Sequence, residues 1–189
     1  YISPNFGGFT AAVNHGRVTE AANSFATGKD AYANLVTGVY NNGPVSANVT
    51  YSKISMANTA ASDDVTELGL AGGFKIGTVA GIFGGYQNSK TGDAARNNKW
   101  QLSGAYHIGA GTIVAQYARN AVKSTTASDN SAAWSLAYTH ALSKRTNVGL
   151  SYTEVKNENG GTYDFFATPV GTPVGAKSAQ WHLGMSHMF

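Results

Sequence analysis

Apolar and polar residues alternate with a period of two along most of the chain. In the segment KWQLSGAYH, Trp100, Leu102 and Tyr106 fall on one side of an extended chain, and mostly polar or small residues fall on the other. The segments VSANVTYS, WSLAYTHAL and NVGLSYTE repeat the pattern. Because successive side chains of a β-strand point to opposite faces, this alternation predicts strands that each have one apolar and one polar face.

The alternation and the turn residues between its runs predict ten strands, with the end of another at residues 1–3. The predicted strands lie near residues 8–18, 31–41, 44–56, 64–75, 78–90, 97–108, 111–124, 131–142, 146–157 and 177–189. Short links, most of them containing Gly, Pro or Asn, alternate with longer links along the chain. This regularity predicts an all-β, antiparallel, up-and-down meander whose two ends face different surroundings.

The chemistry of the polar face distinguishes a membrane barrel from a soluble one. Only 12% of the residues are charged, against roughly 25% in typical soluble domains. The polar faces hold mainly Ser, Thr, Asn, Gln, Gly and Ala, and the apolar faces often begin or end with Trp or Tyr. Aromatic rings at both ends of an apolar band are typical of lipid-facing strands. Since backbone groups in hydrocarbon must be paired within the protein, the pattern predicts a closed transmembrane β-barrel.

The final strand, SAQWHLGMSHMF, resembles the C-terminal signature of Gram-negative outer-membrane proteins. More narrowly, it is similar to the closing strand of β-proteobacterial general porins, which typically ends in Gly-Val/Leu-Arg-His-Lys/Arg-Phe. The positions that match this pattern are Gly184, Met185, His187 and Phe189. Ser186 and Met188 depart from it, where the family usually has a basic residue. The segment YISPNFGGFTAAV also resembles the family's Tyr-x-Ser-Pro-x-Phe-x-Gly-Phe hairpin.

The resemblance implies that residues 1–189 form a single β-barrel domain that is the C-terminal portion of a 16-stranded trimeric porin. The N-terminal strands and the constriction loop of the family are absent from this sequence, so about six strands are expected upstream. The resemblance further implies a homotrimer in the outer membrane of a Gram-negative bacterium, with a preference for anions. It also implies that the barrel-assembly machinery reads the last strand through Trp181, Leu183, Met185, His187 and Phe189.

Strand alternation assigns candidate residues to each face of the barrel. The residues predicted to line the channel are Lys99, Gln101, Ser103, Gln116, Ser151, Thr153, Gln180, His182 and Glu67. Those predicted for the membrane-interface girdles are Trp100, Tyr106, Trp134, Tyr138, Tyr152, Trp181 and Phe189. Arg17, Lys53 and Arg119 lie above the apolar band on the lipid-facing side, where we expect them to contact lipopolysaccharide phosphates.

The sequence gives little support for a disulfide, a metal site, a catalytic site or a nucleic-acid interface. The chain has no cysteine, so it can form neither a disulfide nor a thiolate metal site. It contains no G-x-S-x-G and no H-E-x-x-H motif, and strands rather than helices follow its glycine-rich segments. The net charge of +3 is scattered, which argues against a nucleic-acid interface. We therefore expect no enzymatic activity, no cofactor and no nucleic-acid partner, and predict a passive porin for small hydrophilic solutes and ions.

Two other classes of function stay open at this point. A self-contained ten-stranded outer-membrane barrel would be closer to an adhesin or a surface protease. A soluble antiparallel β-barrel that binds a small ligand would need its largest apolar side chains to point inward. These side chains are Trp100, Leu102, Trp134, Leu136, Trp181 and Leu183.

Overall fold

The computed structural model describes residues 1–19, 31–55, 64–94, 96–123, 130–158, 160–161, 163 and 173–189. It contains ten strands, in the order β1 Phe9–Thr19, β2 Ala31–Asn42, β3 Val45–Ser55, β4 Val65–Ile76, β5 Ala80–Thr91, β6 Arg96–Ile108, β7 Gly111–Lys123, β8 Asn130–Ala141, β9 Thr146–Glu158 and β10 Lys177–His187. Each strand neighbours the next one along the chain in a single sheet. The predicted all-β meander is therefore confirmed, and no strand end differs from its predicted position by more than two residues.

Residues before β1 continue the pairing, as the sequence predicts. Ile2 forms an isolated antiparallel bridge with Ala12. On either side of that bridge, the Ser3 amide donates to the Ala11 carbonyl at 2.8 Å, and the Val13 amide donates to the Tyr1 carbonyl at 2.9 Å. The end of a further strand thus lies beside β1.

Links of two lengths connect the strands, and they define two ends for each strand. The short links are residues 43–44, 77–79, 109–110 and 142–145. Gly109 has a φ of 56°, a left-handed conformation that side chains with a Cβ rarely adopt. We call the strand ends at these links the short-link ends, and the opposite ends the long-link ends.

By their internal contacts, residues 1–72 and 85–98 form one compact unit, and residues 73–84 and 99–189 form a second.

The described residues contain almost no buried apolar side chains. Ala31 is the one buried hydrophobic residue among them, and no large side chain there is fully buried. The six apolar residues that a soluble barrel would turn inward are between 41% and 79% exposed. The structure therefore contradicts the soluble interpretation. Among the described residues, no helix has the length and apolar character needed to cross a bilayer.

Candidate functional site

Aromatic side chains form a row across β6 to β10 in the second unit. The ring centroids are 5.3 Å apart for Trp100 and Tyr117, 5.1 Å for Trp134 and Tyr152, and 4.9 Å for Tyr152 and Trp181. Tyr117 lies directly opposite Trp134 in the pairing of β7 with β8. We call these five residues the aromatic row and their side of the sheet the apolar face. Such ring pairs contribute about 0.5–1.5 kcal/mol each beyond their burial.

Tyr117 is the member of this row that the predicted girdle omits. The sequence held a signal for it, because Tyr117 alternates with Gln116 and therefore falls on the apolar side of β7. The other four members are predicted girdle residues. Trp134 and Trp181 both contact the ring of Tyr152, and Trp100 contacts the ring of Tyr117.

A second group of predicted girdle residues lies at the short-link ends. The Tyr138 hydroxyl and the His140 Nδ1 are 2.9 Å apart, and His187 makes an edge contact with Phe189 at a centroid distance of 5.0 Å. Tyr106 is half exposed near the end of β6. Aromatic side chains therefore stand at two levels of the sheet, and their role as membrane-interface girdles stays a prediction.

Uncharged polar side chains form a parallel row on the opposite face. The Nε2 of Gln116 donates to the Oε1 of Gln101 at 3.0 Å. Strand pairing places Gln116 opposite Ser135, Ser135 opposite Thr153, and Thr153 opposite Gln180. We call these residues the open row and their side of the sheet the polar face. Each one is the chain neighbour of a member of the aromatic row, so the two rows lie back to back.

The remaining predicted channel residues fall around this row. Ser151 lies opposite His182 in the pairing of β9 with β10. Lys99 and Ser103 flank Gln101 at alternate positions of β6, so they share the polar face. Glu67 lies on β4 in the first unit, where it is half-buried.

A third row, on the polar face near the long-link ends, was not predicted from the sequence. Asn120 lies opposite Ser131, and Ser131 lies opposite Asn157. These three residues are only 8%, 8% and 2% exposed, and they are the buried polar residues of the part of the chain that the structure describes. We call them the covered row. Alternation assigns them to the polar face, but no sequence signal indicated that they are buried.

Charged side chains at the long-link ends form ion pairs. The Arg119 Nη2 is 3.1 Å from the Glu158 Oε2, and the Lys53 Nζ is 3.0 Å from the Asp64 Oδ2. Two of the cations expected to contact lipopolysaccharide are therefore already paired with carboxylates. Pairs this exposed contribute little to stability, because water and salt screen the two charges.

Positive and negative residues are distributed unequally between the two ends. All 10 Asp and Glu residues lie in the long links or in the adjacent halves of strands. Lys75, Lys144 and Arg145 instead lie at short links or in the adjacent strand half.

Within the described ranges, no three potential metal-ligating side chains come together. The expectation that no cofactor is bound stays a prediction.

Comparison with known proteins agrees with the resemblance to porins that the sequence indicates. A family model described as Gram-negative porin matches residues 1–160. The chain is 28% identical, over 199 residues, to outer membrane porin protein 32 of Delftia acidovorans, covering 100% of the chain and 55% of that protein. It is similar to the solved anion-selective porin from Comamonas acidovorans, with a TM-score of 0.83 and 26% identity over 100% of this chain and 58% of that one.

A more distant structure shares the fold alone. It is an in-vitro folded trimer form of OmpT, an outer membrane protein of Vibrio cholerae, with a TM-score of 0.66 and 14% identity over 95% of this chain and 60% of that one. The chain thus spans somewhat over half the length of the relatives that it matches. The family model nevertheless covers most of the chain. The chain therefore belongs to the Gram-negative porins, the β-barrel proteins of the outer membrane, as its two-sided strands and its closing strand predict.

Proposed function

We propose that residues 1–189 form part of the wall of a passive, water-filled channel for small hydrophilic solutes and ions. The observation that carries this proposal is the back-to-back arrangement of the aromatic row and the open row on β6 to β10. The apolar face would contact lipid, with its amphipathic rings at the membrane interfaces. The polar face would line the water-filled lumen, where amide and hydroxyl groups interact with solutes without binding them tightly.

The distribution of charge supports a preference for anions. Lys99 is the charged side chain on the polar face of β6 within the second unit, and Lys75, Lys144 and Arg145 add positive charge at the short-link ends. The carboxylates are concentrated at the long-link ends, and several of them are neutralised by ion pairs. Cations along a lumen and at its mouth raise the local concentration of anions. The similarity to a porin named anion-selective agrees with this preference.

The proposal includes the partners of such a channel. Three copies would assemble in the outer membrane, as in the trimer form of the more distant structure. The apolar face would contact lipid, and the charged side chains above the aromatic row would contact lipopolysaccharide. The last strand would be read by the barrel-assembly machinery during insertion. Transport would need no covalent chemistry, so the protein would not be an enzyme.

Planar-bilayer recording tests this function. We expect the protein, purified from the outer membrane in its native assembly, to give stepwise conductance increases in KCl. In a KCl gradient, the reversal potential should correspond to faster passage of chloride than of potassium. Lys99→Gln should shift that potential towards zero, because it removes a cation from the lumen wall. A correctly folded protein that produces no conductance would instead favour an adhesin or a surface protease.

A further inference from the structure

The covered row is unusual because a lumen-facing row should be in contact with water. Asn120, Ser131 and Asn157 share the polar face with the open row, yet they are at most 8% exposed. Two of these residues, Asn120 and Asn157, contact the ends of the last long link. The described residues of these ends are 160–161, 163 and 173–176.

Asn157 ties both ends of this link to β9. Its Nδ2 donates to the carbonyls of Tyr163 and Ala176, each at 3.0 Å, and its Oδ1 accepts from the Tyr163 amide at 2.9 Å. The backbone amide of Asn157 also donates to the Ala176 carbonyl at 3.1 Å. An amide that is 2% exposed must find such partners, since a buried polar group without a hydrogen bond is strongly unfavourable. The side chain of Asn157 therefore holds the two ends of the link, which we call its base, against β9.

The two ends of the link also bind each other and pack closely on β8. The Gly175 amide donates to the Gly161 carbonyl at 3.2 Å. A Cβ added at Gly161 would lie 2.8 Å from the Asn130 carbonyl oxygen and 3.1 Å from the Asn157 Oδ1. The base of the link is thus held directly against the sheet.

Tyr163 extends this base across the polar face. Its backbone is bound to Asn157 on β9, whereas its hydroxyl accepts a hydrogen bond from the Asn120 Nδ2 on β7 at 2.9 Å. The side chain therefore spans the width of β8, which lies between these two strands. Tyr163 is 40% exposed, so one side of the residue covers the wall and the other is open to solvent.

We infer that Tyr163, held by Asn157 and Asn120, is a size-selecting constriction at the long-link mouth of the channel. This inference rests on the proposed function, in which the polar face lines the lumen. A phenol ring clamped on the wall narrows the passage permanently. Because the ring is uncharged, it discriminates between solutes by size and leaves the selection of ions to the charged residues.

Substitution of Tyr163 tests the inference directly in the intact protein purified from the outer membrane. Tyr163→Ala should raise the single-channel conductance by ~1.2-fold or more, because pore diameter limits passage. In liposome-swelling assays, it should raise the permeation of a neutral trisaccharide relative to a neutral monosaccharide by about 2-fold. Tyr163→Phe removes only the bond to Asn120 and should give a smaller change in the same direction.

Two further variants separate a constriction from a general loss of structure. Asn157→Ala should also raise the sugar permeation ratio, with more open-channel noise, because it releases the base of the link. Tyr106→Ala removes an aromatic ring from the apolar face and should leave the ratio at its original value. The heat-dependent gel mobility of each variant shows whether the barrel has folded, and Tyr163→Phe serves as the test variant if Asn157→Ala fails to fold.

The possible results are distinguishable. An unmodified protein that does not conduct would contradict the proposed function itself. A conducting protein whose conductance and sugar ratio are unchanged by Tyr163→Ala would overturn the constriction alone. Equal changes in Tyr163→Ala and Tyr106→Ala would also overturn it, since the effect would then come from losing any aromatic ring.

Discussion

The polar face of β7, β8 and β9 carries two rows with nearly the same chemistry and different surroundings. The open row contributes Gln116, Ser135 and Thr153 on these strands. The covered row contributes Asn120, Ser131 and Asn157, each four residues along the same strand. The difference lies in what contacts each row on the polar face. Asn120 and Asn157 in the covered row contact the ends of the last long link, whereas Gln116 in the open row is exposed.

This comparison predicts different roles for the polar side chains of the two rows. In the open row, water can replace any lost hydrogen bond, so a substitution should change permeation more than stability. In the covered row, a lost partner leaves a buried group unpaired, so the same substitution should change stability as well. Matched substitutions in the two rows can separate these roles.

The largest expected difference comes from placing a charge in each row. Ser131→Arg would put a guanidinium in a site that is 8% exposed. We expect it to lower the free energy of unfolding by ~3 kcal/mol or more, because a buried unpaired charge is strongly unfavourable. Ser135→Arg, in the open row, should be tolerated and should increase anion preference. Urea unfolding followed by tryptophan fluorescence measures the first effect, and the reversal potential measures the second. Equal destabilisation by both would remove the distinction between the rows.

Removing an amide should give the next largest difference. Asn157→Ala deletes three side-chain hydrogen bonds to the link base. We expect a loss of about 1–3 kcal/mol in the free energy of unfolding, since the partners stay buried. Thr153→Ala, on the same strand and face, should change it by less than ~0.5 kcal/mol. The two urea midpoints provide the comparison, and a midpoint for Asn157→Ala as high as that for Thr153→Ala would contradict this role of Asn157.

Adding a methyl group probes the close approach of the link to β8. Gly161→Ala would bring a Cβ within 2.8 Å of the Asn130 carbonyl oxygen. We expect a destabilisation of about 1–2 kcal/mol, because the backbone has to move. At Gly84, the nearest atom to an added Cβ is 3.7 Å away, so Gly84→Ala is a matched control in a strand. Thermal unfolding of both variants checks this, and an unaffected Gly161→Ala would mean that the base of the link can shift freely.

The smallest effect is expected in the open row. Gln116→Ala removes the 3.0 Å hydrogen bond to Gln101, whose side chain is exposed. We expect the free energy of unfolding to change by no more than ~0.5 kcal/mol, because water replaces the amide. The urea midpoint and the single-channel conductance can be measured on the same preparation. A destabilisation comparable to that of Asn157→Ala would show that the open row is also structural.

Local sequence signals predicted most of the fold and part of the site. The ten strands follow from the alternation of side chains, and the closing strand with Phe189 identified the family, which the comparisons confirm. Trp100, Trp134 and Trp181 were placed correctly on one face, since parity within a strand needs no tertiary information. The assignments to lumen and lipid stay predictions until the channel is measured.

Other features depend on which residues meet across the sheet. The ion pair of Arg119 with Glu158 joins residues that are 39 positions apart, and the bond between Asn120 and Tyr163 joins residues 43 positions apart. Nothing in the periodicity of a single strand encodes such a contact, because it depends on strand register and on the path of a link.

The sequence by itself determined the two-sidedness of the wall, since alternation along a strand assigns each side chain to a face whatever the strand's neighbours are. Only the tertiary structure decided which level of the polar face is open and which is covered. Asn120 and Gln116 have the same parity and similar amides, but burial depends on the link that returns over Asn120 and Asn157. Hydrophobic periodicity is a local property, whereas the closure of a link over a wall is set by contacts between distant parts of the chain.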